Sequence, residues 1–194
     1  KYHGKRIVDL LLSDCGGDGE PKCFVLIVDC EGDHQVKSAI LDRRNALIKS
    51  GYELVVGLRD LYPTEKDKYA ELVRGLMYKV PTKDLPIHFV VSVMETESWF
   101  LQEWNHYQTI DSELTLQKIK DETNFYPEND DAAEIAEPAK LLNRIYGIVN
   151  KDYVKEKAVL ERRIEALDYD NLYENFRGML PQLNQFINHI DSFV

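Results

Sequence analysis

Six acidic residues stand just past the ends of three apolar runs. Asp29, Glu31 and Asp33 follow "FVLIV", Asp60 follows "LVVGLR", and Glu95 and Glu97 follow "IHFVVSVM". Carboxylates gathered in one place repel one another unless a cation neutralises them. Hard divalent ions such as Mg2+ or Mn2+ take oxygen ligands, commonly a few carboxylates completed by water and substrate phosphate. One or two ions held there would stabilise the charge that develops when a phosphodiester bond is attacked. Asp29 leads the candidate metal ligands because it is the first polar residue after its run. Glu31, two positions on, shares its face if the segment is extended, and Asp33 completes the set. Glu95 and Glu97 form a second pair with the same spacing.

A plainer reading explains each acid singly. "DCEGD" can be a turn whose acids cap the next helix, a role that suits Asp33. In "METESWF", Thr96 can be an N-cap with Glu97 in the first helical turn, while Trp99, Phe100 and Trp104 enter the core. Asp60 can simply begin the "DLYP" turn. The recurrence of acids at successive strand ends favours the shared site, because ligands of open α/β sheets bind beyond the carboxyl ends of the strands.

The elements needed to position these acids are legible in the apolar spacing. Ile7, Val8, Leu10, Leu11 and Leu12 suggest a short helix over residues 4–12, ended by the glycines of "CGGDGEP". "CFVLIVD" reads as a strand covered on both faces, as in a parallel sheet. Val36, Ala39, Ile40, Arg43 and Leu47 predict a helix that stops near Gly51. "YELVVGL" is a second strand, Tyr69 to Met77 a second helix and "IHFVVSV" a third strand. This rhythm predicts an α/β fold with a mostly parallel sheet flanked by helices. Residues 114–120 read as helical, "FYPENDDAAEIAEP" as an acidic loop, and Pro138 as the first residue of a helix bearing Leu141, Leu142, Ile145 and Val149. Helices are also expected over "KEKAVLERRIEAL" and around Leu183, Phe186, Ile187 and Ile190. The chain thus reads as one domain, with an α/β core over about 1–105 and a helical C-terminal part over about 106–194.

Composition narrows the functional classes. With 194 residues, 44% hydrophobic and 30% charged, the chain can bury one sizeable core. No apolar run reaches the roughly 20 residues of a membrane span, and no export signal is visible, so a cytoplasmic protein without a membrane contact is expected. A net charge of −10 argues against bulk attraction to nucleic acid. Cys15, Cys23 and Cys30 lack metal-site spacing, the five histidines are scattered, and "CGGDGEP" has neither the lysine nor the hydroxyl of a phosphate-binding loop. The serines lack a nucleophile-elbow setting.

"VLIVDCEGD" resembles the aspartate motif of Toprim-like domains, with Glu31 standing where a second Asp is usual. The order of "HGKRIVDLL", "VLIVDCEGD", "GLRDLYP", "VVSVMETESWFL", "PAKLLNRIYG", "YVK" and "LPQLNQFINHI" is similar to a bacterial Toprim-like family of unknown function, over about residues 3–190. The resemblance implies a Toprim-like sheet and Mg2+-dependent cleavage of phosphodiester bonds in DNA or RNA, with Glu97 and Glu95 as catalytic acids and water as the attacking group. It also implies a partner ATPase in phage defence or mobile elements, with homo-oligomerisation or the partner supplying the basic surface this chain lacks. Lys140 of "PAK", Lys155 of "YVK" and Arg59 are the candidate phosphate contacts. The family's upstream glutamate-bearing strand is expected before Lys1. Its absence, and Glu31 in place of Asp, keep open a second reading, a Toprim-derived regulatory module without chemistry.

Overall fold

The computed structural model describes residues 7–10, 25–154 and 156–193. Two strand pairs form its sheets: β1 (Ile7–Leu10) with β2 (Val25–Val28), antiparallel, and β3 (Val55–Asp60) with β4 (Ile87–Ser92), parallel. The register aligns Ile7 with Val28 in the first pair, and Val55 with Ile87 and Asp60 with Ser92 in the second.

The first pair corrects two expectations. Residues 7–10 form a strand where a helix over 4–12 was expected. The run "IVDL" is only four residues long and half β-branched, and an apolar cluster so short has no decisive period; pairing with β2 settles it. In β2, Val25 and Ile27 are exposed instead of covered on both faces. Among the described residues, hydrogen bonding gives two small sheets, not one continuous Toprim-like sheet.

The second pair is covered on both faces. Its odd-numbered residues, Ile87, Phe89 and Val91, pack with Val36 and Ile40 of α1 (Val36–Lys49) and Leu76 of α2 (Tyr69–Met77). Gly57 lies on this face; a Cβ there would stand 2.8 Å from Ile40 Cδ1 and 2.9 Å from Phe89 Cδ1, so only glycine lets α1 sit so close to the strand. The even-numbered face, through Leu58, packs on Trp99 of α3 (Glu97–Gln102) and on Leu183 and Ile187 of α9 (Pro181–Asp191).

α8 (Tyr169–Glu174) adds Leu172 to that same cluster. The remaining helices, α4 (Asn105–Ile110), α5 (Leu116–Thr123), α6 (Pro138–Gly147) and α7 (Lys157–Glu165), build a second core with the end of α3. Leu101, Tyr107, Ile119, Leu142, Ile145 and Tyr146 form its buried centre. Thr115 caps α5 by accepting the Lys118 N–H at 3.2 Å, and Asn124, at φ 58°, ends it in the left-handed region. Pro138 is at the start of α6, as its ring favours. Among the described residues no helix is long and apolar enough to cross a membrane.

Candidate functional site

β3 and β4 end side by side, and their continuation sets the site. Beyond the ladder, the Leu61 N–H donates to Ser92 O (2.9 Å) and the Tyr62 N–H to Met94 O (2.8 Å), which carries Asp60 alongside the segment 94–97. Asp60 Oδ1 accepts the Thr96 N–H at 2.9 Å. From the other side, Asp33 Oδ1 accepts the Asp60 N–H at 2.7 Å. Asp33 therefore does not act as a local helix cap. Its carboxylate bridges 27 residues to the neighbouring strand, and the turn it opens has Gly32 at its N-cap position without a side-chain bond.

These bonds gather Asp33, Asp60, Glu95 and Glu97 into one electrostatic unit. Burial pushes the Asp60 carboxyl up to about 6; the charges of Asp33, Glu97 and Glu95 add to this, against the lowering effect of the Thr96 N–H. Glu97 is buried, 4% exposed, and its Oε1 accepts the Tyr153 hydroxyl at 3.0 Å. Glu95 is half-buried and its Oε2 accepts the Ala139 N–H at the start of α6, at 3.3 Å. Glu97 Oε2 also lies 3.5 Å from the Thr96 hydroxyl, which donates to it.

Ser92 completes the arrangement. It pairs laterally with Asp60, so both side chains leave the same face of the sheet at the same end. Ser92 is fully buried, and its Oγ has no hydrogen-bond partner among the described residues. Buried hydroxyls nearly always find a partner, so an unpartnered one in the strand pair that carries Asp60 calls for a physical reason. Met94, between β4 and Glu95, has φ 63°, a left-handed conformation that is costly for an unbranched non-glycine residue and concentrates at functional sites.

The oxygen-only donor set, the mutual repulsion and the Ser92 hydroxyl fit a hard divalent cation. Asp33, Asp60, Glu97 and Ser92 are the residues that could hold it. Among the described residues no group of three or more His, Cys, Asp or Glu already surrounds a single point, so ligation would call for side-chain rotation.

The remaining candidates lie elsewhere. Asp29 and Glu31 occupy an exposed turn in which Asp29 Oδ1 accepts the Glu31 N–H at 2.8 Å; Glu31 is left-handed at φ 61°. Arg59 Nε donates to the backbone oxygen of Asp60 at 3.0 Å. Lys140 is exposed and paired with Glu137, which raises its ammonium's affinity for a proton, with smaller help from Tyr62 and Glu95. Lys155 lies outside the described residues.

Sequence reasoning counted Asp60 among the acids at strand ends without giving it a role of its own, and missed Ser92 and Tyr153. Asp60 carried the same signal as Asp29, an acid directly after an apolar strand. Ser92 and Tyr153 carried none, because their roles arise from register and from a contact across 56 residues.

No family model, curated protein or solved structure matches the chain.

Proposed function

We propose that the cluster at the ends of β3 and β4 is a divalent-cation site and that the chain is a Toprim-like, Mg2+-dependent phosphodiester hydrolase acting on nucleic acid. The observation that carries this reading is the raised Asp60 carboxyl beside Asp33, Glu95 and Glu97, with the unpartnered Ser92 hydroxyl next to it. Asp33, Asp60 and Glu97 would hold the ion. Bound there, it would stabilise negative charge on a phosphoryl oxygen. Glu95, at the rim and tied to the start of α6, is the group to take a proton from an attacking water. Lys140, whose charge couples to Glu95, would meet an adjacent phosphate. With a net charge of −10, productive encounter with DNA or RNA calls for a basic partner, for which an ATPase in phage defence is the proposed class.

The test is calorimetric titration of Mn2+ into the wild type, Asp60→Asn and Asp33→Asn, followed by plasmid and structured-RNA cleavage with the same proteins. Heat of binding and nicking in the wild type, lost in both variants, support the reading. A wild type that binds no ion removes it. A second reading, an interaction module without chemistry, is favoured by Asp29 and Glu31, whose segment forms a solvent-exposed turn. Ion binding without cleavage of any nucleic acid would support that one.

A further inference from the structure

Tyr153 is remote from the carboxylates in sequence and nearly buried, 7% exposed, yet its hydroxyl reaches Glu97 Oε1 at 3.0 Å. The phenol O–H donates to the carboxylate. A buried carboxylate depends on such donors.

The Tyr153 ring is held by α6 and by what lies behind it. Asn143 Oδ1 accepts the Tyr153 N–H at 2.9 Å, and the ring lies 6.1 Å from that of Tyr146, at 45°. The Tyr146 hydroxyl is 2.9 Å from His106 Nε2, and His106 Nδ1 is 3.1 Å from Glu103 Oε2. Glu103 further accepts the N–H groups of Asn105 (2.8 Å), His106 (3.1 Å) and Asp168 (3.3 Å). Glu103, His106 and Tyr146 are at most 1% exposed. Apolar residues would fill the same space without the desolvation cost of a buried charge. Their effect is to fix rings and backbone in one arrangement, and that arrangement ends at Glu97.

We propose that Tyr153 is a positioning residue, whose hydroxyl holds the Glu97 carboxylate against Asp60, with the Glu103–His106–Tyr146 unit as its rigid support. The functional consequence rests on the cation-site reading; the placement of Glu97 does not.

The test compares Tyr153→Phe, which keeps the ring, with Tyr153→Leu, which loses both ring and hydroxyl. Tyr153→Phe is expected to melt close to the wild type, while its Mn2+ affinity falls about 10- to 100-fold, the usual scale for losing a group that orients a metal ligand. Crystal structures of the metal-free proteins are expected to show Glu97 turned away from Asp60 in Tyr153→Phe. Tyr153→Leu is expected to lose thermal stability as well, separating packing from the hydroxyl. Glu97 unmoved in Tyr153→Phe, with wild-type Mn2+ affinity, overturns the proposal. If the wild type binds no Mn2+, the cation-site reading falls by itself, and the position of Glu97 in the two crystal structures still decides the role of Tyr153.

Discussion

Asp60 ties three separate segments together: its N–H is bound by Asp33, its carboxylate binds the Thr96 N–H, and its charge opposes those of Glu95 and Glu97. The cost of this position depends on pH in a defined direction. A carboxyl with an ordinary value of 3.8 and a folded value of about 6 takes up its proton more readily in the native state. Its contribution therefore declines as pH rises from 3.8 through about 6, and the penalty is full above that. Asp60→Asn keeps an acceptor for Thr96 and removes the charge, so its melting temperature should exceed that of the metal-free wild type at pH 7. The difference should vanish near pH 4. Melting curves across that range check this, and equal curves at pH 7 would mean that the carboxylates do not strain the fold. Asp60 was readable as an acid after a strand. Its partner Asp33 was readable as a candidate metal ligand or a helix cap but not as the partner of Asp60, because sequence shows what precedes a helix and not which strand lies beside it.

Between elements, the fit of α1 on β3 depends on Gly57. The Cβ of alanine would press on Ile40, Phe89 and, at 3.0 Å, Val36, and overpacking of this kind costs about 1–3 kcal/mol. Chemical denaturation of Gly57→Ala should show a loss of that order, and site properties should follow, since α1 leads directly from the Asp33 turn. On the opposite face, His88 of β4 stacks on His189 of α9, ring centroids 4.0 Å apart at 18°, and His189 Nε2 is buried without a partner among the described residues. Burial first, then His88, lowers the His189 affinity for a proton below its ordinary value of 6.5. The neutral ring is thus favoured in the native state. Its stabilisation is complete above pH 6.5 and is lost as pH falls below it. His189→Phe retains an aromatic ring on His88 and should flatten that acid-side loss relative to the wild type, as measured by melting temperature between pH 7 and 5. The α2, α6 and α9 helices were legible because each carries one apolar face, and α1 because Val36, Ala39, Ile40 and Leu47 recur at helical spacing. The strand over residues 7–10 was not, since four residues have no period and only the pairing with β2 decides their state.

For the whole molecule, the net charge of −10 and the four clustered carboxylates act in the same direction. The protein alone should give no mobility shift with DNA or RNA at physiological salt, because a net charge of −10 opposes attraction to the phosphates. Mn2+ should raise its melting temperature, by linkage to the native state, and a chelator should reverse the gain. A stable complex with nucleic acid in chelator would contradict the idea that a metal or a partner must bridge the two. From the sequence alone came the α/β class, the helical C-terminal part and the placing of acids at the strand ends, because hydrophobic period and residue type are local properties. Only the folded chain decided which acids meet. Lateral register put Ser92 beside Asp60, the turn before α1 brought Asp33 to it, and the loop that follows α6, 56 residues downstream of Glu97, placed Tyr153 on that carboxylate. Such neighbours depend on pairing and packing between distant segments, and no local pattern in the chain encodes them.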